Sequence, residues 1–331
     1  MKQRPTLELK RSEVARLLSL DECIAAVENA FRLHGEGRIA PPQMLSVHAG
    51  EGVFHIKAGL LPLSKSYFAA KLNGNFFRNL ERFNLPNIQG LILLCDGEHG
   101  YPLAVMDSIE ITILRTGAAT AVAAKHLARK DARVVTICGC GNQGHVQLRA
   151  LGRVLRLQQA FAFDIAEDRA RRFADQLSSE LNLEVHATGD LAYALSRSDV
   201  CVTCTPSKKP FVRREHLRPG TFLAAVGADS PEKQELEPDI LGSSKLVTDS
   251  LEQCAQIGEL HHALERGTTR RERVHAELGE IVAGSKQGRV SPQETIIFDS
   301  TGTALQDVAA AALVYEKAIR EGIGAWVDFA G

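Results

Sequence analysis

The sequence predicts an α/β protein, and three features of the chain lead to this prediction. Residues 133–204 alternate short apolar, β-branched runs with helical patterns, which is typical of a parallel sheet covered by helices. Residues 41–102 instead contain short strand-like runs separated by Gly, Pro and Asn. Residues 304–321 carry a long amphipathic helical pattern. We therefore expect an α/β domain with an α+β region encoded on either side of it.

The most specific local pattern is an apolar run that ends in three glycines. Residues 134–138 read as a buried strand, and Gly139, Gly141 and Gly144 follow in a G-x-G-x-x-G spacing before an apolar helical stripe. The first Gly permits a tight turn, the second lets the backbone approach a pyrophosphate, and the third lets the helix pack closely on the strand. This arrangement predicts a Rossmann dinucleotide-binding domain.

The second half of a dinucleotide-binding pattern follows on the next predicted strand. Asp164 ends the run 160–163 and lies 25 positions after Gly139, near the usual offset for a carboxylate that accepts hydrogen bonds from a ribose 2′-hydroxyl. This favours NAD, because Asp164 would repel a 2′-phosphate. Three arginines follow closely enough to leave NADP open: Arg169, Arg171 and Arg172. A glycine-rich turn and an unrelated surface Asp are the structural alternative.

Composition excludes several classes of partner. The chain has 331 residues, of which 44% are hydrophobic and 24% charged, as is ordinary for a globular protein with room for two domains. Its 39 basic and 40 acidic residues give a formal net charge of −1, so neither nucleic acid nor a membrane surface is expected as a partner. The first ten residues contain no apolar signal core, and no apolar run reaches 18 residues, so a cytoplasmic location is expected.

The cysteines and histidines predict neither a disulfide framework nor a metal site. Seven cysteines is an odd number without framework spacing, which is typical of reduced thiols. Cys201 and Cys204 lie inside an apolar strand pattern, which favours core packing over metal or redox chemistry. His261 and His262 lack a four-residue spacing and a third ligand, so no metal is expected.

Three further segments carry helical patterns. Residues 19–35 have Ser19 as a predicted N-cap and an apolar stripe along one face. The alanine-rich segment 117–130 has Thr116 as a suitable N-cap. Residues 255–293 are charged and read as helical with a Gly/Ser interruption.

Seven short motifs occur along the chain in a fixed order. They are Lys71-Leu-Asn73, Leu85-Pro-Asn-Ile-Gln-Gly90, Gly100-Tyr-Pro-Leu103, Leu114-Arg-Thr-Gly-Ala-Ala119, Gly139-Cys-Gly-Asn-Gln-Gly144, Ala225-Val-Gly-Ala-Asp229 and Phe298-Asp-Ser-Thr-Gly-Thr-Ala-Leu-Gln-Asp307. Together they resemble the ornithine cyclodeaminase/mu-crystallin family, over about residues 40–320. That family comprises cyclodeaminases, alanine dehydrogenases, cyclic imine reductases and the ketimine reductase mu-crystallin. The resemblance therefore defines the fold and the cofactor better than the substrate.

The resemblance implies a reaction, an organisation and an assembly. The implied reaction is hydride transfer between the α-carbon of a small amino or imino acid and C4 of the nicotinamide of NAD. The implied organisation is a discontinuous α+β substrate-binding and dimerisation domain, residues 1–115 and 303–331, and a Rossmann NAD-binding domain, residues 116–302. The family also implies a homodimer that pairs through the sheets of the N-terminal domains.

By resemblance, Lys71 and Arg115 bind the substrate α-carboxylate, and Lys71 and Asp229 are the catalytic residues. The planar guanidinium of Arg115 suits two carboxylate oxygens. Asp229 follows the apolar run 221–226, where α/β sheets bind ligands beyond the carboxyl end of a strand, and its implied role is acid/base catalysis at the substrate amine. The structural alternatives are surface charges for the two cations and a turn Asp before Pro.

The same resemblance implies contacts to the cofactor and, near the nicotinamide, to the substrate. Thr301 is expected near the nicotinamide or the substrate. The threonines have a structural alternative, since Thr is favoured in strands and at caps. The implied cofactor contacts are Asn87, Arg115, Thr116, Gly139, Gly141, Asn142, Gln143, Gly144, Asp164, Thr203, Thr205, Ser207, Val226, Gly227 and Ser300.

Two departures from the family pattern concern the substrate. The cyclodeaminases have an Arg where this chain has Gln43, and a Glu where this chain has the segment with His55 and Lys57. We hypothesise that Lys57 replaces the missing cation from a neighbouring strand position. The missing Glu argues against a cationic ornithine side chain, because a buried ammonium group without a carboxylate partner is costly.

These departures order the functional interpretations. An amino-acid dehydrogenase or ketimine reductase comes first. Ornithine or lysine cyclodeamination comes second, with NAD used catalytically and ammonia released. A ligand-binding protein that keeps the nucleotide fold without turnover comes third, and the presence of Asp229 argues against it.

Overall fold

The computed structural model describes residues 5–329, which form two compact units. The discontinuous unit contains the residues up to Arg115 together with those from Thr303 onward, and the central unit is Thr116–Gly302. Residues 1–4 and 330–331, which the predicted domain limits include, lie outside the described residues.

Strands occur in both units and are numbered in chain order. They are β1 (Thr6–Leu9), β2 (Gln43–Ala49), β3 (Gly52–Pro62), β4 (Ser66–Asn75), β5 (Ile88–Asp96), β6 (Pro102–Asp107), β7 (Val134–Cys138), β8 (Gln159–Phe163), β9 (Glu184–Ala187), β10 (Val200–Thr203), β11 (Phe222–Ala225), β12 (Lys245–Thr248), β13 (Ala276–Glu277), β14 (Ile296–Asp299) and β15 (Ala325–Val327).

The α-helices are interleaved with these strands. They are α1 (Arg11–Leu17), α2 (Leu20–Gly35), α3 (Asn79–Phe83), α4 (Ile109–Leu127), α5 (Asn142–Val154), α6 (Glu167–Leu181), α7 (Leu191–Arg197), α8 (Pro238–Ser243), α9 (Leu251–Ile257), α10 (Glu259–Glu265), α11 (Leu278–Val282) and α12 (Ala304–Glu321).

The discontinuous unit contains a seven-stranded sheet in the order β15-β1-β6-β5-β4-β3-β2. Its strands are antiparallel from β2 to β6, and β1 joins β6 in parallel. Helix α12, which is encoded at the far end of the chain, packs on α2 and on strands β3 and β4. The sheet therefore has one face covered by helix, which is how an α+β unit buries its apolar side.

The central unit contains an eight-stranded sheet in the order β13-β12-β14-β11-β10-β7-β8-β9. Every neighbouring pair in it is parallel. The chain runs outward from β7 through β8 to β9 and then resumes on the other side of β7 with β10. Such a reversal of strand order opens a crevice at the carboxyl ends of the strands, where α/β sheets bind their ligands. The predicted α/β fold class with a Rossmann-type domain is confirmed.

Helix α2 confirms the sequence prediction for 19–35. The Ser19 hydroxyl accepts a hydrogen bond from the backbone N–H of Glu22, and the Glu22 carboxylate accepts one from the backbone N–H of Ser19. These reciprocal bonds form a capping box, so the helix begins where its side chains can satisfy its first amides.

The prediction that Thr116 caps a helix over 117–130 is wrong. Helix α4 begins at Ile109 and passes through Thr116. The Asp107 carboxylate accepts hydrogen bonds from the backbone amides of Ile109 and Glu110, which satisfies the first turn nine residues upstream of the predicted cap. Arg115 is therefore held inside a helix rather than ahead of one.

The helical prediction for 255–293 is only partly correct. The segment contains the short helices α10 and α11, the end of α9 and the two-residue strand β13. Strand β13 pairs with β12, so burial at a sheet edge overrides local helix propensity here. None of the helices described within residues 5–329 is long and apolar enough to cross a membrane.

Candidate active site

Three charged side chains of the discontinuous unit meet at one buried point. Lys71 lies on β4, Arg115 on α4 and Asp307 on α12. The Lys71 Nζ atom lies 2.7 Å from Asp307 Oδ2, and Arg115 Nε donates to Asp307 Oδ1 at 3.1 Å. The remaining guanidinium is oriented by the Gln306 side-chain oxygen, 3.0 Å from Arg115 Nη1. Two cationic groups thus share one carboxylate.

Burial and charge act against each other in this cluster. The exposed fractions are 3% for Lys71, 6% for Arg115 and 1% for Asp307. Burial, with the nearby charges of Arg115 and Lys57, lowers the pKa of Lys71 to about 7, although Asp307 opposes the shift. Burial alone would raise the pKa of Asp307, but the surrounding cations lower it below its usual value. An anionic ligand at this point would favour the charged ammonium form of Lys71.

Lys57 and His55 lie beside this cluster on strand β3. Lys57 is paired directly opposite Lys71 in the antiparallel register, and His55 is opposite Asn73. Directly opposed residues project from the same face of a sheet, so Lys57 and Lys71 share a face. Lys57 is also buried. The Nδ1 atom of His55 is hydrogen-bonded to the Ser46 hydroxyl at 2.9 Å.

Gln43 and Asn87 are engaged in local contacts. Gln43 begins β2, is exposed, and donates its side-chain amide to the carbonyl of Pro41 at 3.3 Å. The Asn87 side-chain oxygen accepts a hydrogen bond from the backbone N–H of Leu80 at 3.0 Å, which ties the segment after α3 to that helix. These contacts do not join either residue to Lys71 or Arg115.

The glycine turn of the central unit fits a dinucleotide pyrophosphate. Gly139 has φ +103°, a conformation that favours glycine, and a Cβ at Gly144 would collide with the Gly139 carbonyl oxygen. A Cβ at Gly141 would meet nothing within 4 Å, so the backbone there is open to a ligand. Helix α5 begins at Asn142, and the buried Gln143 Oε1 has no hydrogen-bond partner within residues 5–329. The helix amides can donate to a pyrophosphate, and the Gln143 oxygen can accept a hydrogen bond from a hydroxyl or amino group of a bound nucleotide.

Asp164, which follows β8, is held by the glycine turn itself. One carboxylate oxygen accepts a hydrogen bond from the backbone N–H of Cys140 at 3.0 Å, and the other accepts one from Ala166 at 2.9 Å. Both oxygens keep a second lone pair for a ribose hydroxyl. Arg169 Nη1 lies 3.6 Å from Asp164 Oδ2, so a cation stands beside the carboxylate.

Apart from Thr116, the other predicted cofactor residues lie at or beyond the carboxyl ends of the central strands. Thr203 ends β10, and its partner in the parallel register, Ala225, ends β11. Val226 and Gly227 continue from β11, and Val226 N donates to the Thr203 carbonyl at 2.8 Å. Thr205 and Ser207 follow β10; the Ser207 hydroxyl donates to the Lys209 carbonyl at 2.7 Å. Thr116 is buried in α4 next to Arg115 along the chain.

Asp229 lies in the loop after β11 and is held by Lys233. Lys233 Nζ donates to Asp229 Oδ1 at 2.6 Å. The Asp229 side chain is 41% exposed, whereas that of Lys233 is 11% exposed. The carboxylate is therefore oriented by a buried cation, and part of it remains exposed to solvent.

Ser300 and Thr301 follow β14 and are fixed by a buried carboxylate. Asp249 accepts hydrogen bonds from the Ser300 hydroxyl at 3.2 Å, the Thr301 hydroxyl at 3.1 Å and the backbone N–H of Gly302 at 2.6 Å. The Gln253 side chain also donates to Thr301 Oγ1 at 2.9 Å. Thus the turn after β14 is rigidly anchored from its own unit.

A family model described as the ornithine cyclodeaminase/mu-crystallin family matches residues 5–322. The chain belongs to this family. The resemblance drawn from the seven motifs is thereby confirmed.

Three solved structures resemble this ornithine cyclodeaminase/mu-crystallin family member along nearly its whole length. An archaeal alanine dehydrogenase dimer with bound NAD is 41% identical, with a TM-score of 0.93, and the match covers 98% of this chain and 99% of that one. Delta(1)-pyrroline-2-carboxylate reductase of Thermococcus litoralis, in complex with NADH and L-proline, is 34% identical (TM-score 0.91, coverage 97% and 99%). Iminosuccinate reductase of Paracoccus denitrificans, in complex with NAD+, is 32% identical (TM-score 0.91, coverage 98% and 100%).

Sequence reasoning assigned no role to several residues that organise these sites in this family member. Asp307 ends the last family motif, but only the structure shows that its carboxylate meets Lys71 and Arg115. Asp249, Glu235 and Asp299 are buried carboxylates that hold loops after the central strands. Buried acids look like surface acids in a sequence, so no local signal identified them.

The sequence argument that His261 and His262 lack a third ligand is wrong. Glu265 lies close by, and ligand atoms of the three residues lie within 4.8 Å of one another. The Nε2 atom of His262 is already hydrogen-bonded to the Lys233 carbonyl at 2.8 Å.

Proposed function

We propose that this chain is an NAD(H)-dependent oxidoreductase that transfers a hydride at the α-carbon of a small amino or imino acid. The observation that carries this proposal is the buried pair of cations, Lys71 and Arg115, which share the single carboxylate of Asp307. A buried site with excess positive charge selects an anionic group, and a planar guanidinium suits a carboxylate. The relatives described as bound to NAD, NADH or NAD+ support the nicotinamide cofactor.

The cofactor would be held by the glycine turn Gly139–Gly144, by Asp164 and by the loops after β10, β11 and β14. NAD(H) supplies the hydride acceptor or donor when it is bound. The amides at the start of α5 neutralise part of the pyrophosphate charge. The Asp164 carboxylate would accept hydrogen bonds from the ribose hydroxyls. It selects NAD over NADP because a carboxylate repels the 2′-phosphate of NADP.

The substrate chemistry is assigned to Lys71, Arg115 and Asp229, each with a lysine nearby. Lys71 and Arg115 bind and orient the α-carboxylate, and Lys57 adds positive charge on the same sheet face. Asp229 gives a proton to, or takes one from, the substrate nitrogen, and Lys233 orients the Asp229 carboxylate.

A paired assay tests the function. Purified enzyme is incubated with NAD and a panel of amino acids, and with NADH and cyclic imines or 2-keto acids plus ammonia, while NADH absorbance and ammonia are recorded together. Net formation or consumption of NADH is the expected result. Ammonia release from ornithine or lysine without net NADH would instead establish a cyclodeaminase. No change in NADH absorbance and no ammonia, from a protein that still binds NADH, would instead indicate a binding protein without turnover.

We also propose a homodimer that forms through the sheet of the discontinuous unit. Leu45, Leu72 and Leu91 are exposed, and the register β2-β3-β4-β5 aligns them across neighbouring strands on one face. A contiguous apolar sheet face of this kind marks an association surface. The archaeal alanine dehydrogenase, described as a dimer, supports a second copy of the chain as the occupant.

Sedimentation of the wild type and of Leu72→Glu tests the dimer. A wild-type dimer that becomes a monomer on substitution is expected, and a wild-type monomer would refute the proposal.

We place the enzyme in the cytoplasm, where its seven cysteines, all without disulfide partners, stay reduced.

A further inference from the structure

Three buried carboxylates of the central unit are linked through backbone hydrogen bonds. Asp299, at the end of β14, accepts from the backbone amides of Glu259 at 3.2 Å and Leu260 at 2.8 Å. The Glu259 carboxylate in turn accepts from the amides of Glu235 at 2.7 Å and Leu236 at 3.2 Å. Each carboxylate therefore fixes the backbone that carries the next one.

The series ends at the two loops that carry Thr205 and Gly227, to which the proposed function assigns contacts with the cofactor. Glu235 Oε1 accepts from the backbone N–H of Thr205 at 2.6 Å and from its hydroxyl at 2.7 Å, and Oε2 accepts from the backbone N–H of Gly227 at 2.9 Å. These loops follow the adjacent parallel strands β10 and β11. A Cβ at Gly227 would collide with the Glu235 carboxylate, so the loop backbone lies directly on that side chain. Asp229 comes two residues later.

The loop that Glu235 holds through Thr205 also packs against the glycine turn. A Cβ at Gly139 would lie 3.0 Å from the Thr205 side chain and 2.9 Å from the Cys204 carbonyl oxygen. Glu235 therefore holds a loop that packs against the nucleotide turn as well as the loop that carries the acid/base residue.

Burial of these three carboxylates lowers the stability of the folded protein. Glu235 and Asp299 are fully buried, and Glu259 is 1% exposed. Burial raises the pKa of Glu235 and raises that of Glu259 well above its usual value. Because buried carboxylates of this kind are unfavourable for stability, their placement calls for a role other than packing.

We propose that Glu235 is a positioning residue, which sets the loop Gly227–Asp229 for proton transfer by Asp229 while Glu259 and Asp299 hold Glu235 in place. This inference rests on the proposed function of Asp229. Catalytic groups must be held within a fraction of an ångström of their working geometry, and small displacements from distant changes reduce turnover strongly.

Glu235→Gln tests the role with almost no change in size. One amide oxygen can still accept both hydrogen bonds from Thr205, but the amide NH2 then faces the Gly227 N–H, and two donors repel. We expect kcat to fall about 10- to 100-fold, as misplacement of a reacting group does. The Kd for NADH should stay within about threefold, because the variant keeps the Thr205 hydrogen bonds that hold the loop against the nucleotide turn. A purely structural loss would change both quantities together.

Glu294→Gln is the matched control. Glu294 accepts from the backbone amides of Val290 and Ser291 and pairs with Lys245 within the same unit. It precedes β14, so it lies at the amino end of the strands rather than at the ligand-binding end. Its variant should keep the kcat of the wild type. Equal kcat values for both variants, or parallel loss of kcat and NADH binding in Glu235→Gln alone, would overturn the inference.

Glu259→Gln keeps the inference testable if Glu235→Gln does not fold. It acts one step further back, so a smaller fall in kcat, about threefold to tenfold, is expected with unchanged NADH binding. Unchanged kcat in a folded Glu259→Gln enzyme would contradict the series. Absence of turnover in the wild type would instead refute the proposed function, which separates the two failures.

Discussion

Asp307 in the discontinuous unit and Asp299 in the central unit are both almost completely buried, yet their pKa values shift in opposite directions. Two cations contact Asp307 and lower its pKa. Asp299 is held mainly by backbone amides and has another carboxylate, Asp249, nearby, and burial raises its pKa to about 7. Burial alone therefore does not define a carboxylate's role; the charges of its neighbours do.

This contrast separates two uses of buried charge. The cluster at Asp307 carries more positive than negative groups, so it can receive an anion. The carboxylates linked to Asp299 accept hydrogen bonds from backbone amides. They therefore hold the backbone in place and do not attract an anionic ligand. The following variants test that division, from the largest expected effect to the smallest.

Asp307→Asn should give the largest loss of stability. Removing the carboxylate leaves Lys71 and Arg115 buried side by side without their shared partner, which typically costs about 3–5 kcal/mol. Chemical unfolding of the variant and the wild type measures the difference. Glu22→Gln is the control, because Glu22 pairs with Lys317 near the surface and should cost less than about 1 kcal/mol. Equal losses would mean that the Asp307 cluster is not electrostatically distinct.

Lys71→Met should act mainly on the substrate. Loss of a buried charge partner costs about 2–5 kcal/mol, so kcat/KM for a carboxylate substrate should fall by about 100-fold or more. Lys317→Met removes a lysine from the same unit, outside the cluster, and should leave kcat/KM unchanged. A Lys71→Met enzyme with wild-type KM would exclude Lys71 from carboxylate binding.

Asp299→Asn should have a moderate effect. The amide keeps one acceptor but places an NH2 group against a backbone donor, at a cost of about 1–3 kcal/mol. Because the pKa of Asp299 is raised to about 7, the folded state holds a proton that the unfolded state has lost above about pH 4. The stability gained from that proton is complete below about pH 4 and disappears as pH rises through about 7. The advantage of wild type over variant in unfolding experiments should therefore shrink between about pH 4 and pH 7 and level off above about pH 8, and a constant difference across about pH 4 to 7 would contradict the shifted pKa.

The smallest effect expected is a pH dependence of substrate binding. The pKa of Lys71 is lowered to about 7, so its ammonium charge is present below that pH and lost above it. Binding of a carboxylate inhibitor should weaken above about pH 7, by no more than about tenfold per pH unit. Lys71→Arg should flatten this profile, because a guanidinium stays charged. A wild-type profile that rises with pH would show that the neutral amine is the binding form.

The structural features that were predicted correctly depend on residues close together in the sequence. The glycine turn and the position of Asp164 after a strand are predictable because turn, helix and strand follow one another within 26 residues, from 139 to 164. Their contacts with the cofactor stay predictions. Helix α2 is predictable because Ser19 and Glu22 form its cap locally. In both cases the deciding contacts join residues close in sequence.

The features missed depend on contacts between distant residues. Asp307 lies 192 residues from Arg115, and only tertiary packing of α12 brings the two together. Thr116 has the right chemistry for a cap, but Asp107 lies upstream and starts α4 first. Glu235 is an ordinary acidic residue in sequence, and its function emerges only when the loops after β10 and β11 close around it.

Substrate recognition and proton transfer are assigned to different residues, and one binding experiment separates the two roles. The Kd of an unreactive carboxylate analogue is measured, from the fluorescence of bound NADH, for the wild type, Lys71→Met and Asp229→Asn, and kcat is measured in parallel. Asp229→Asn should keep the wild-type Kd for both ligands while kcat falls about 100-fold or more, and Lys71→Met should lose analogue binding. Loss of NADH binding, analogue binding and turnover together in Asp229→Asn would mean that Asp229 is structural and would contradict the account.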